Sequence, residues 1–159
     1  MHQSLRLIRS TRRARDGFFL RAESYFNVAT YVEQLDGGLG PYGGLSLHEQ
    51  SHGESFLALL ENRLRGKGLY IFDEPEAALS PTRQMSMLVR MHELIAAESQ
   101  FVIATHSPIL MAYPDAWIYQ LGARGLERVA YGETEHFAIT RNFLNRHEEV
   151  MRQLLEPED

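Results

Sequence analysis

The spacing of apolar and polar positions changes several times along the 159 residues, and each change marks an element. Gly17-Phe18-Phe19-Leu20 is a short apolar run of strand type, and Val28 to Leu35 is compatible with a helix. Five glycines and Pro41 then fall between Asp36 and Gly44, a density that forbids regular structure and predicts a flexible loop over 36–46. Beyond it Phe56, Leu57, Leu59, Leu60 and Leu64 recur at helical spacing behind Ser51-x-x-Glu54, which has the form of a capping box. A helix is therefore expected to about Arg65, where Gly66 and Gly68 stop it. Leu69-Tyr70-Ile71-Phe72 and Phe101-Val102-Ile103-Ala104 are uninterrupted apolar runs, the pattern of strands buried on both faces.

Between those strands Ser80-Pro81 supplies an N-cap and a first-turn proline for a helix through Met85, Leu88, Met91, Leu94 and Ile95. Ser107-Pro108 repeats the device for a short helix. Trp117 to Leu121 and Leu126 to Ala130 read as two strands joined at Gly122 to Gly125, with Trp117 and Tyr119 in ordinary strand packing, and a helical tail is expected from about Thr140. Met85, Met87, Met91 and Met111 are assigned to the core. Strands alternating with helices predict an α/β fold in one domain, 1–159, with a mainly parallel sheet flanked by helices.

Composition narrows the function. The 44% hydrophobic share suffices for a core, while no apolar run approaches the ~18 residues of a membrane-crossing helix and no signal-peptide pattern follows Met1. Sixteen basic residues against 21 acidic ones argue against a general nucleic-acid binder. Arg6, Arg9, Arg12, Arg13, Arg15 and Arg21 nevertheless make residues 1–22 basic, a run that reads as a solvated arm or as a phosphate or nucleic-acid contact. Zero cysteines exclude disulfides, thiolate metal sites and cysteine nucleophiles, and fit a soluble cytoplasmic protein. Fifteen of the sixteen basic residues are arginine. The one lysine, Lys67, follows Gly66 but precedes Gly68, and Glu61 stands where a phosphate loop G-x-x-x-x-G-K-[ST] needs its first glycine, so the 159 residues contain no such loop.

Candidate chemistry gathers where the apolar strands end, the edge at which parallel sheets bind ligands. Asp73 and Glu74 follow the first strand and His106 follows the second. Paired carboxylates after a buried strand suit a division of labour in which one acid holds Mg²⁺ and the next aligns a water for attack on phosphate. The same Asp-Glu-Pro also turns a chain out of a strand, and His106 also suits a capped strand end. Thr105 and Ser107 flank His106, but no third member of a Ser/His arrangement is identifiable.

These residues resemble the ABC-class ATPases, of the soluble bacterial AAA/ABC type. Leu69 to Glu74 looks like Walker B with its catalytic glutamate, and Ala77-Ala78-Leu79-Ser80 is similar to the D-loop. His106 resembles the switch histidine, and Ser51-His52-Gly53-Glu54 resembles the signature Ser-Gly-Gly-Gln/Glu. Order and spacing agree over residues 51–107. The resemblance implies a P-loop NTPase fold that binds ATP and Mg²⁺ and hydrolyses ATP in a nucleotide-sandwich dimer. Asp73 would hold Mg²⁺ through water, Glu74 would activate the attacking water, and His106 would contact the γ-phosphate. Ser51, His52, Gly53 and Glu54 would complete the partner's nucleotide site. His52 departs from the signature glycine and Ser80 from the D-loop aspartate. The missing Walker A implies a C-terminal portion of a nucleotide-binding domain, its first strand and phosphate loop lost or carried by a separate chain, and hence little hydrolysis alone.

Two other classes share these residues. One is a non-catalytic interaction module on the same fold. The other is a zinc hydrolase, because His48-Glu49-Gln50-Ser51-His52 spells H-E-x-x-H, with His92, Glu93 or His136 as possible third ligands. Glycines 43, 44 and 53 crowd that stretch and leave its helix hard to form.

Overall fold

A computed structural model describes residues 13–23, 52–123 and 125–156. The expected 28–35 helix, the 36–46 loop, Ser51, the His48-Glu49 part of H-E-x-x-H and most of the basic arm lie outside the described residues, and His52 is described only as helical backbone.

Three strands, β1 (Asp16–Arg21), β2 (Gly68–Asp73) and β3 (Gln100–Ala104), form a parallel sheet in the order β1-β2-β3. Helix α1 (His52–Asn62) precedes β2, and α2 (Pro81–Ala96) joins β2 to β3. The short α3 (Pro108–Met111) follows, then an antiparallel hairpin of β4 (Ile118–Gly122) and β5 (Gly125–Val129). Helices α4 (Glu135–Asn145) and α5 (His147–Leu155) come last. The α/β class with a parallel sheet flanked by helices is as expected.

Register sorts the strand residues into rows. Phe18, Tyr70 and Phe101 lie abreast, as do Leu20, Phe72 and Ile103, and these rows face the helices. They pack against Phe56, Leu59, Leu60 and Leu64 of the α1 segment and Met87, Met91 and Leu94 of α2. Ring contacts link Phe56 to Phe72 at 6.3 Å and Phe72 to Phe101 at 5.8 Å between centroids. Each such burial stabilises by about 1.5–3 kcal/mol, so this layer is the core. The intervening row, Phe19, Ile71 and Val102, points the other way and is open, Phe19 being 64% exposed. Burial of the strands on both faces is thereby corrected: the apolar residues are continuous, but helices cover one face alone among the described residues.

Local chemistry sets the helix limits. Ser80 accepts the Arg83 N–H and Ser107 accepts those of Ile109 and Leu110, so both predicted caps form. No glycine cap closes α1. Instead the Arg90 guanidinium of α2 donates to the carbonyls of Leu60, Glu61 and Leu64 at 3.1–3.3 Å, satisfying groups the helix end leaves unpaired. The chain then turns through Lys67, at φ 60°, into Gly68, where a Cβ would stand 2.3 Å from the Tyr70 ring.

Three expectations need correction. Met85 faces solvent because α2 turns Gln84, Met87, Met91 and Leu94 inward. Trp117 and Tyr119 are exposed, Trp117 lying beneath the Arg128 guanidinium at 4.8 Å, since the hairpin is a separate two-stranded unit with no layer over that side among the described residues. The helical tail starts at Glu135 rather than Thr140, because the Thr134 hydroxyl caps it by accepting the Phe137 N–H.

At the amino end of β2 a polar cluster pins strand to helix. Arg63 reaches both Asp16 oxygens at 2.9 and 3.1 Å, the Tyr70 hydroxyl lies 3.0 Å from Asp16, and that hydroxyl accepts the Arg65 N–H at 2.7 Å. Ser99 accepts the Gly68 N–H and donates to the Arg65 carbonyl, both at 3.1 Å. Burial pushes the Asp16 carboxyl up, but the hydrogen bonds from Arg63 and Tyr70 outweigh it and hold the group below its ordinary value.

Candidate functional site

The opposite end of β2 carries the candidate site. Asp73 closes the strand in one row with Arg21 and Ala104, and Arg21 Nε lies 3.1 Å from its carboxylate. Glu74 then leaves the sheet in the left-handed region, at φ 50° and ψ 50°, while its N–H still donates to the Ala104 carbonyl at 2.9 Å. That conformation costs a non-glycine residue about 1–2 kcal/mol. Pro75 keeps Glu74 out of the right-handed helical region and opens the tight turn Pro75–Ala78.

Glu76, in that turn, binds the segment after β3. Its carboxylate accepts the Thr105 hydroxyl at 2.8 Å and the His106 N–H at 2.6 Å. Thr105 accepts the Ser107 N–H at 3.0 Å, and buried Ser107 meets buried Gln84 of α2, whose amide donates to the Leu79 carbonyl at 3.1 Å. The turns after β2 and β3 are thus one connected unit. His106 projects from it with Nε2 3.6 Å from Glu74 and Nδ1 3.0 Å from Nε2 of His136.

The structure therefore brings Asp73, Glu74 and His106 to one sheet edge. Gly53 and Glu54 stand elsewhere, at the start of α1. A Cβ on Gly53 would lie 2.6 Å from the Arg83 guanidinium and 3.2 Å from the Ala78 carbonyl, and Glu54 pairs with Arg83 at 3.0 Å. The first turn of α1 thus rests on the stretch that resembles a D-loop, and a side chain at 53 would have to displace the Arg83 side chain that lies over it.

Hard oxygen donors suit Mg²⁺, which keeps most of its waters and needs one or two protein carboxylates. Asp73 fits that role: its carboxylate is part-exposed and already has a cation, Arg21, against it. Among the described residues no group of three or more His, Asp and Glu is arranged as a metal cage. The suggested third zinc ligands are engaged otherwise, His92 with the Tyr113 hydroxyl at 2.9 Å, Glu93 with Arg90 at 2.7 Å and His136 with His106. An open cleft of about 570 Å³ beside α3 and the hairpin is lined by Tyr113, Ile118, Arg128 and Tyr131, and Asp73, Glu74 and His106 take no part in it.

Sequence reasoning missed Glu76, and it named His136 only as a possible zinc ligand and not as a neighbour of His106. Glu76 had a signal, a third carboxylate two residues after Asp73-Glu74. His136 had none, since 30 residues separate it from His106 and its helix start was misplaced.

A three-stranded parallel sheet flanked by helices is the architecture of a P-loop NTPase-like fold. Residues 6–112 match the family described as "AAA domain, putative AbiEii toxin, Type IV TA system", and the chain belongs to that family. Membership places it among AAA-type ATPase-like domains, a family whose general activity is nucleotide binding and hydrolysis. No solved structure matches the chain. No helix among the described residues is long and apolar enough to cross a membrane.

Proposed function

We propose that the chain is the signature-to-switch portion of an ABC-type ATPase domain that hydrolyses ATP as a nucleotide-sandwich dimer. The observation that carries the proposal is the meeting of Asp73, Glu74 and His106 at one sheet edge, with the Glu76 carboxylate joining the turns that present them. Bound Mg²⁺-ATP supplies the electrophilic phosphorus. Asp73, released from Arg21, would hold the cation through water. Glu74, in a left-handed backbone conformation just past the strand, takes the proton of the attacking water. His106 presents its Nε2–H to the γ-phosphate.

On this proposal Ser51, His52, Gly53 and Glu54 complete the partner's site, where the positive end of the α1 dipole favours phosphate. The phosphate loop, which none of the 159 residues spells, comes from outside them, either as the missing N-terminal portion of the same domain or as a separate chain. ATP, Mg²⁺ and a second copy or a loop-bearing partner are the implied companions.

The test joins the chain to the loop-bearing polypeptide that completes it and measures Mg-ATP turnover. Glu74→Gln should cut kcat by about 10²–10³-fold, within the range for losing a general base, while nucleotide binding survives. Turnover indifferent to that substitution sinks the assignment of Glu74.

A further inference from the structure

We propose that His136 is a positioning residue for His106: it fixes the ring orientation and the tautomer that turn Nε2–H of His106 toward the Glu74 edge. The proposal rests on the reading of His106 as the histidine that contacts phosphate. It adds a residue that lies beyond the family-matched segment, which ends at residue 112.

The geometry is a three-member chain. His136 Nε2 lies 3.0 Å from His106 Nδ1, with the ring centroids 5.0 Å apart and the planes inclined by 42°. On its other side His106 Nε2 lies 3.6 Å from Glu74 Oε1, at ion-pair rather than hydrogen-bond distance. A neutral imidazole has one N–H and one bare nitrogen, and the partner of one nitrogen decides where the proton sits. Were Nδ1 of neutral His106 to donate to His136, bare Nε2 would face the Glu74 carboxylate, acceptor against acceptor. With His136 donating its Nε2–H to Nδ1, the single proton of His106 sits on Nε2, where both Glu74 and a phosphate oxygen are acceptors. His136 thereby selects the form of His106 that the proposed chemistry needs.

His136 is also held in place by contacts independent of His106. It lies in the first turn of α4, which buried Thr134 caps. Just before that cap, the Tyr131 hydroxyl donates to the Pro108 carbonyl at 2.9 Å, two residues beyond His106, and the Tyr131 ring packs at a tilt against Phe137, 4.6 Å between centroids. The start of α4 is therefore fastened to the segment carrying His106. Glu76 fixes the His106 backbone from one side, and His136 fixes its ring from the other.

The test uses the full chain with ¹⁵N-labelled histidine, His106 being assigned by its loss in His106→Gln. The expected result is His106 in the Nε2–H form, with an Nδ1 resonance that moves in His136→Leu and stays near the wild-type position in His136→Gln, whose side-chain amide offers a donor at a similar reach. In the loop-completed enzyme, kcat should fall about tenfold or more in His136→Leu with KM unchanged, a loss of the size seen when the group orienting a functional histidine is removed, and Gln should restore most of it. A His106 spectrum unmoved by His136→Leu overturns the proposal, as does equal kcat in wild type and His136→Leu. Failure of the ATPase reading shows separately, as wild-type turnover indifferent to Glu74→Gln and His106→Ala, and the nitrogen resonances then decide on their own whether His136 holds His106.

Discussion

The two ends of β2 are both polar, and they are built on opposite plans. At the amino end Asp16, Arg63 and Tyr70 sit half-buried or buried and answer one another's hydrogen bonds, with a depressed carboxyl at Asp16 as the result, while buried Ser99 ties the Gly68 N–H to the Arg65 carbonyl. At the carboxyl end Asp73, Glu74 and His106 remain open to solvent, and the packed, hydrogen-bonded groups are the ones behind them, Glu76, Thr105, Ser107 and Gln84. One end spends its polar groups on holding β1, α1 and β2 together. The other holds its supports rigid and leaves its outermost groups available, as a binding edge requires.

Substitutions at the two ends should separate along that line. The largest effect is expected from Glu74→Gln, which should remove about 10²–10³-fold of turnover while Tm stays within a degree or so, because Glu74 is exposed and its backbone geometry is unchanged. A large fall in Tm would show that the carboxyl end is structural after all. Next comes Asp16→Ala, which removes the carboxylate that pairs Arg63 and leaves the Tyr70 hydroxyl with Arg65 alone; it should cost about 2 kcal/mol, or about 4–8 °C in Tm, with no effect on nucleotide chemistry. Turnover lost in proportion to stability would erase the contrast.

The same carboxyl predicts a pH signature. Its folded pKa lies below the unfolded value of about 3.9, so its contribution is complete above that value and disappears as pH falls through the folded pKa. Chemical denaturation across this acid range should show the wild type losing more stability than Asp16→Asn, and parallel curves would refute the assignment. Smaller still, Glu76→Ala should cost about 1 kcal/mol, since the Thr105 hydroxyl and His106 N–H it binds can turn to water. It should also broaden the His106 amide resonance. The smallest effect is a gain: Lys67→Gly at φ 60° should stabilise by about 0.5–1 kcal/mol, offset in part by loss of the exposed pair with Glu98 at 3.4 Å.

The sequence made the carboxyl end easy to find and the amino end hard. Four apolar residues before Asp73-Glu74, the Ser-Pro pairs at 80 and 107, and His106 after a second apolar run are local patterns, and all three strands of the sheet formed where such patterns stood. The Asp16–Arg63–Tyr70 cluster joins residues 47 and 54 positions apart, so nothing local announces it. The pairing of His136 with His106 spans 30 residues and was hidden in the same way, whereas Glu76 stands beside Asp73-Glu74 and was readable locally. The exposure of Phe19, Ile71 and Val102 was hidden differently: an apolar run records what a strand is able to bury, and whether a layer lies over it is decided elsewhere in the chain.

That bare row has a calorimetric consequence. The heat capacity gained on unfolding measures apolar surface newly given to water, at about 12–15 cal/mol/K per residue for a domain covered on all sides. Phe19, Ile71 and Val102 are wet before unfolding begins, and so are Leu121, Leu126, Leu154 and Leu155. The isolated chain should melt with a heat-capacity step below that range, giving a flatter stability curve whose shape steepens when any binder dries the open face of the sheet.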